Sequence, residues 1–264
     1  MRPQILNVEI KHGVARVTLN RPEVRNAFDD ALIGLLMKAF LDMESDKSVR
    51  VVVLAGNGPA FCAGADLNWM KRMAGYGYDE NVADAKALAA MLATLDRLPK
   101  PTIARVHGPV FAGGTGLVAA CDIAVGTPEA KFCLSEAKLG LSPATISPNV
   151  IRAMGERLAR RYVLTAEVFD AEEAFRIGML SALVAAAELD STVDNLVKNL
   201  LAGGPEAHAK IKQLIRDVGR RPVDDALVAE TAKRIAEIRV SPEGREGIAS
   251  FLEKRKASWC SPKS

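Results

Sequence analysis

Little in this chain of 264 residues points to metal, redox or nucleic-acid chemistry. It contains four cysteines and three histidines, with no CxxC pair and no histidine beside a cysteine at metal-ligand spacing. We therefore expect buried, reduced thiols, no bound metal and no nucleophilic triad. The 35 basic and 32 acidic residues are well mixed, and their net charge of +3 is too small to predict a nucleic-acid partner.

Long apolar runs and a targeting segment are also missing. No stretch approaches the roughly 20 apolar residues that span a bilayer. The first residues, MRPQILNVEI, have neither the apolar core of a signal peptide nor the Arg/Ser-rich character of a transit peptide. We therefore expect no membrane partner and a cytoplasmic location. The 49% apolar composition suffices for one large α/β domain, alone or with a helical appendage.

Hydrophobic periodicity predicts alternating strands and helices up to Pro148. Residues 5–19 alternate apolar and polar around a Lys-His-Gly turn, which predicts a hairpin. A helix is predicted over 29–43 and a strand over 49–54, so that strand, helix and strand form a parallel crossover. The stripe on that helix comprises Leu32, Leu35, Leu36, Ala39, Phe40 and Met43. The pattern then repeats with a helix at 80–97, a strand at 102–107, a helix at 114–121 and a strand at 122–125.

Strand signals nearly vanish after Pro148, and several segments begin with Pro, Asp or Ser at helix-capping positions. Helices are predicted at 149–164, 170–178, 189–202, 205–218, 224–238 and 242–258. We place a core at 1–195 and a C-terminal helical region at 196–264.

Two loops of small residues suggest a binding site for an oxyanion. The first, FCAGAD at 61–66, follows a predicted strand, and the second, Ala112-Gly113-Gly114, begins a predicted helix. Each loop could direct one backbone N–H at the same oxygen, and two such donors form an oxyanion hole. A tight turn at a helix start is the alternative for the glycine pair alone. No GxxxxGK[ST] or GxGxxG motif follows a strand here, which argues against a phosphate cradle.

A carboxylate follows the second loop. Glu136 has apolar neighbours in FCLSEAKLG at 132–140, and burial among them would raise its pKa toward useful acid–base chemistry. A solvated surface glutamate is the alternative.

These three features, with LNRPEVRNAF at 19–28 and the closing GREGIASFLEKRKASW, resemble the crotonase superfamily, the enoyl-CoA hydratase/isomerase family. The resemblance extends from Arg16 to the end of the chain. It implies an α/β fold, a spiral of repeated ββα turns with a C-terminal helical region that forms trimers, two of which often stack into a hexamer. It also implies an acyl-CoA thioester as substrate, with no cofactor beyond the CoA that the substrate carries.

The resemblance assigns roles to individual residues. Ala65 and Gly113 would provide the oxyanion-hole N–H groups, and Glu136 would be the acid–base. The Ala63 carbonyl would accept a hydrogen bond from the adenine of CoA, with Arg25 near the nucleotide. The other expected substrate contacts are Asp66, Leu67, Trp69, Met70, Met73, Gly114, Gly116, Leu141 and Lys254, of which Lys254 would reach the CoA phosphates. Core packing is the alternative role for the tryptophan and the two methionines.

Gly116 departs from the pattern of the family. Well-known hydratases carry a second glutamate at this position, three residues after the oxyanion glycine, and the two glutamates together hold the water. The Δ3-Δ2 isomerases often keep only the glutamate that matches Glu136, because moving one proton between two carbons needs one base. The departure therefore leaves the reaction open.

A more local likeness favours hydration. ADLNWMKRMA at 65–74, FCLSEAKLGLSPATISP at 132–148 and GERLARRY at 155–162 resemble the methylglutaconyl-CoA and isohexenylglutaconyl-CoA hydratase branch. Its carboxylated substrates need a cation, for which Lys71, Arg72 and Arg152 are candidates, with surface solvation as the alternative. A Δ3-Δ2 enoyl-CoA isomerase and a catalytically silent CoA-binding or RNA-associated homologue are the competing functions.

Overall fold

Residues 5–19, in which apolar and polar side chains alternate, form the hairpin that begins the larger sheet. The computed structural model describes residues 4–260. In it β1 (Leu6–Lys11) pairs antiparallel with β2 (Val14–Leu19). Ala15, Val17 and Leu19 are buried, and the intervening side chains are more exposed. The predicted hairpin is confirmed.

Residues 4–260 contain nine strands in two sheets. The remaining strands are β3 (Val51–Gly56), β4 (Thr102–Val106), β5 (Pro109–Phe111), β6 (Ile123–Gly126), β7 (Lys131–Cys133), β8 (Phe169–Asp170) and β9 (Ala182–Leu183). The larger sheet has the order β1-β2-β3-β4-β6-β9 and is parallel from β2 onward. The smaller sheet has the order β5-β7-β8, with β5 and β7 parallel.

Eleven α-helices surround the sheets in the described part of the chain. They are α1 (Asp30–Ser45), α2 (Leu67–Met73), α3 (Tyr78–Arg97), α4 (Gly113–Ala120), α5 (Ser147–Met154), α6 (Glu156–Thr165), α7 (Ala171–Arg176), α8 (Leu189–Ala202), α9 (Pro205–Val218), α10 (Asp225–Val240) and α11 (Pro242–Leu252). None of these helices is both long and apolar enough to cross a membrane.

Each turn of the chain passes through the larger sheet, then the smaller sheet, then a helix. β4 leads to β5 and α4, and β6 leads to β7 and α5. β3 leads to the loop 61–66, where Cys62 forms a parallel bridge with Val110 of β5, and then to α2 and α3. The fold is therefore the expected mixed α/β spiral of repeated ββα turns.

Three local expectations were wrong. On α1, Leu35 is exposed and Ile33 is buried instead, because the face that packs against the core is rotated about the helix axis toward Ile33. The predicted helix over 149–164 is two helices, because Gly155 adopts a φ of +78° that a continuous helix cannot contain. The strands β5, β7, β8 and β9, each of two or three residues, were missed because so short a segment shows no periodicity.

The end of the described chain is tied to the N-terminal half by Arg50. Its guanidinium donates to the carbonyl of Trp259 at 2.9 Å and to those of Leu201 and Gly203. The predicted boundary between 1–195 and 196–264 falls within α8, whose Val193 and Val197 pack against the larger sheet. Residues 1–3 and 261–264 of those ranges lie outside the described residues.

Candidate active site

Parallel pairing brings the three predicted catalytic positions to one edge of the smaller sheet. Cys62 pairs with Val110, and Phe111 pairs with Cys133, all in the parallel sense. The loop 61–66, β5 and β7 therefore lie side by side and end in the same direction. Ala65, Gly113 and Glu136 follow the paired residues Cys62, Phe111 and Cys133 by three, two and three residues.

Hydrogen bonds between the loop 61–66 and Phe28 direct the N–H of Ala65 away from Phe28. Phe28 donates to the Gly64 carbonyl at 2.7 Å, and Asp66 donates to the Phe28 carbonyl at 2.7 Å. In this parallel bridge the Ala65 N–H points to the opposite side. Within residues 4–260 it has no acceptor, and neither has the N–H of Gly113, the first residue of α4.

Close packing explains the glycine pair that begins α4. A Cβ added at Gly113 would lie 2.7 Å from the Phe28 ring, and one at Gly114 would lie 2.4 Å from the Cys62 carbonyl oxygen. Only glycine allows the start of α4 to approach the loop 61–66 this closely. Ala112, just before the pair, has a φ of +47°, a conformation that costs energy for alanine. The close contact with Cys62 therefore explains the glycine at 114, which was predicted to bind substrate.

Arg21 supports the same loop, and sequence reasoning missed it. Its guanidinium donates to Asp66 at 2.9 Å and to the Ala27 carbonyl at 2.8 Å, and it lies 2.9 Å from Asp29. The other Asp66 oxygen accepts the N–H groups of Asn68 and Trp69 and so caps α2. Asp66, predicted to bind substrate, thus has protein partners for both oxygens. For Arg21, the sole signal in the sequence was its place in the NRP motif at 20–22.

The predicted pocket residues of α2 divide into buried and exposed positions. Trp69 is buried, and its indole N–H donates to Asp84 at 3.1 Å. Met73 packs against the core, and Met70 is half-buried. Leu67, at the start of the helix, is 73% exposed. The core-packing alternative therefore fits Trp69 and Met73, and Leu67 and Met70 remain accessible to a ligand.

The predicted CoA contacts lie on the surface. Arg25 is exposed, and its carbonyl accepts the Ala63 N–H at 3.0 Å, which ties the NRP segment to the loop 61–66. The Ala63 carbonyl accepts no hydrogen bond within residues 4–260. Lys254 is exposed beyond the end of α11, and no hydrogen bond in the described chain joins its side chain to the loop. Their role toward CoA stays a prediction.

Glu136 has the environment expected of an acid–base. It lies in a short 3-10 turn, Ser135–Leu139, that follows β7. Its Oε2 atom is buried and has no hydrogen-bond partner in the described chain. Burial raises the pKa of Glu136 above its usual value. Leu141, another predicted contact, is exposed and donates its N–H to the Glu136 carbonyl at 3.0 Å.

Comparison with known proteins shows the family of the chain. The family model for enoyl-CoA hydratase/isomerase matches residues 9–262. The chain belongs to the enoyl-CoA hydratase/isomerase family. An enoyl-CoA hydratase from Shewanella pealeana, known from its crystal structure, is 41% identical, with a TM-score of 0.95 over 98% of this chain and 97% of that one.

Two further members of the enoyl-CoA hydratase/isomerase family match over nearly the same length. Enoyl-CoA hydratase AKT6-1 of Alternaria alternata is 36% identical over 247 residues, which are 92% of this chain and 80% of that protein. The short-chain-enoyl-CoA hydratase of Clostridium acetobutylicum is 30% identical over 255 residues, 94% of this chain and 95% of that protein. An acyl-CoA substrate is consistent with this membership.

The described residues include no group of three His, Cys, Asp or Glu side chains that could hold a metal ion. Two concavities lie elsewhere on the surface. One of about 290 Å³ is formed by α9, α10 and α11, and one of about 760 Å³ lies beside the C-terminal ends of α3, α4 and α9. Ala65, Gly113 and Glu136 line neither of them, so the candidate active site is separate from both.

Proposed function

We propose that this protein adds water to an α,β-unsaturated acyl-CoA, with a branched, carboxylated ester of the methylglutaconyl type as its substrate. One observation carries the proposal. Among residues 4–260, a buried carboxyl oxygen of Glu136 without a hydrogen-bond partner lies at the same sheet edge as two backbone N–H groups without acceptors. This is the set of groups that addition to an enoyl thioester requires.

The chemistry follows from these groups. The N–H groups of Ala65 and Gly113 bind the thioester oxygen and stabilise the negative charge that develops on it. Glu136 removes a proton from water as the water oxygen bonds to the β-carbon, which leaves an enolate. The protonated Glu136 then delivers that proton to the α-carbon, so that one water molecule is added overall and the carboxylate is restored.

An isomerase is the second candidate, and Gly116 favours it. With one side-chain acid–base, Glu136 could take a proton from the α-carbon of a 3-enoyl ester and return it to the γ-carbon. A catalytically silent CoA-binding homologue would bind the same esters without turnover. The three functions therefore differ in their products, not in their binding partner.

A three-substrate assay separates the candidates. Crotonyl-CoA, 3-methylglutaconyl-CoA and a 3-enoyl-CoA are incubated with wild type, Glu136→Gln and the control Glu129→Gln, which alters an exposed glutamate before β7. We expect hydration of the methylglutaconyl ester, with a loss of about 10²–10⁴ in rate for Glu136→Gln alone. Turnover confined to the 3-enoyl ester would establish the isomerase. CoA-ester binding without any turnover would establish the silent homologue.

The carboxylate of the proposed substrate needs a cationic side chain as its partner, and that requirement can be tested. Arg72 pairs with Asp30, and Arg152 pairs with Asp96 at 2.8 Å. Lys71, on α2 just after the loop 61–66, is exposed and forms no ion pair within residues 4–260. We propose Lys71 as the partner of the substrate carboxylate. Lys71→Met should raise KM for the methylglutaconyl ester by about tenfold and change KM for crotonyl-CoA much less. Equal effects on both esters would exclude this role.

A trimer, or a pair of trimers, is proposed for the assembly. The C-terminal helices carry large apolar side chains on their surface, among them Phe251 (81% exposed), Leu252, Ile215 and Val240. Apolar surface of this kind is typical of protein interfaces. Light scattering coupled to size-exclusion chromatography should give three or six times the 28.3 kDa chain mass. A 28.3 kDa particle at assay concentration would contradict the proposal.

A further inference from the structure

Ile146 fills the space beside α4 in which a side chain at position 116 would lie. A Cβ added at Gly116 would lie 2.5 Å from Ile146 Cγ2, 2.8 Å from Ile146 Cβ and 3.5 Å from Leu92 Cδ1. Side-chain atoms do not approach each other as closely as the first two distances. Ile146 is 2% exposed, and rotation about its Cα–Cβ bond cannot move its Cβ away. The glycine at 116 and the isoleucine at 146 therefore depend on each other.

Both residues belong to segments that also carry candidate site residues. Gly116 follows Gly113 by three residues, which is about one helical turn, so the two share a face of α4. Ile146 stands ten residues after Glu136, at the end of the segment that leads from the acid–base to α5. α4 and α5 pack against each other, and Ile146 immediately precedes α5. Ile146 thus packs on α4 at the end of the segment that begins with Glu136.

We propose that Ile146 determines which reaction the site supports, because it excludes a second side-chain acid from α4. Its side chain occupies the space into which a second side-chain acid would project from α4, so Glu136 remains the only side-chain acid–base. The kinetic consequences rest on the proposed function, and the steric dependence does not.

Thermal stability tests the steric dependence. We compare Gly116→Ala, Ile146→Gly and the double variant, with Gly34→Ala as the matched control. A Cβ at Gly34, which also lies within a helix, meets no atom of the described residues within 4 Å. Gly116→Ala should lower Tm by about 5 °C, and Gly34→Ala should leave it equal or higher. The double variant should lose less than the sum of the single variants, because the clash is absent. Strict additivity, or equal effects of the two alanines, would overturn the steric dependence.

A restored carboxylate provides the last comparison. Gly116→Glu should lower turnover about 100-fold in the wild-type background, and Ile146→Gly should recover about tenfold of it by making room. An active, stable Gly116→Glu that gains nothing from Ile146→Gly would overturn the proposal. If wild type turns over no ester at all, the proposed function fails, and the Tm comparison still decides whether Ile146 closes this side of α4.

Discussion

Arg21 should be essential to the stability of the loop 61–66, and removing its guanidinium tests how the oxyanion site is held. The group joins Asp66 of the loop to Ala27 and Asp29 of the segment that pairs with it. Arg21→Met keeps much of the side-chain length and removes the charge and the donors. Arg21→Lys keeps the charge, but one ammonium cannot reproduce the planar fork that contacts all three partners.

The burial of the pair determines the expected magnitude. The Arg21 and Asp66 side chains are 14% and 6% exposed. Removing one partner of a buried ion pair costs about 3–5 kcal/mol, because the other charge stays without compensation. With some solvent access remaining, we expect about 3 kcal/mol for Arg21→Met and about 1–2 kcal/mol for Arg21→Lys. A typical domain has only about 5–15 kcal/mol of stability to lose.

The loss should depend on pH through Asp66. Burial acts to raise the pKa of Asp66, but hydrogen bonds from Asn68 and Trp69 and the charge of Arg21 outweigh it, so the net pKa is lowered. Such a group stabilises the fold above its unfolded pKa of about 3.9, and this contribution is lost as pH falls through the folded pKa. The deficit of Arg21→Met should therefore be largest above pH 4 and should shrink in more acidic solution.

Urea unfolding of each variant between pH 3 and pH 7 measures both effects, and kcat/KM reports on the site. Arg16→Met is the control, because Arg16 forms an exposed pair with Asp194 and should lose no more than about 1 kcal/mol. Equal destabilisation of the Arg21 and Arg16 variants, or a deficit that does not change with pH, would refute the reasoning.

Two further predictions concern burial. Glu136→Gln should melt at a higher temperature than wild type at pH 8. The raised pKa of Glu136 means that its ionised form destabilises the fold at any pH above the pKa of the unfolded chain. The difference in Tm should shrink toward pH 4, and a lower Tm for the variant at pH 8 would contradict the prediction. In thiol titration of the native protein at pH 8, Cys260 should react first, because it is exposed and burial raises the pKa of Cys62 and Cys121 to about 12. Equally fast labelling of Cys62 would show that its segment opens.

Much of the fold could be predicted because its signals are local. The hairpin at 5–19 and the helix α1 follow from side-chain periods of two and about 3.6 residues, which neighbouring residues carry by themselves. Asp29 likewise caps α1 through a contact with Leu32, three residues away. The prediction was wrong at Gly155, where a single backbone conformation divides one amphipathic pattern into two helices.

The candidate site shows the same division between local and distant contacts. The motifs and their resemblance to a family were enough to nominate Ala65, Gly113 and Glu136. The departure at Gly116 could also be read directly, but not its cause. Nothing in the sequence indicated that Ile146 fills the space beside it, or that Arg21 and Asp66 meet across 45 positions of sequence. Such contacts depend on which faces the parallel pairing of strands and the packing of helices bring together, and only the tertiary structure determines that.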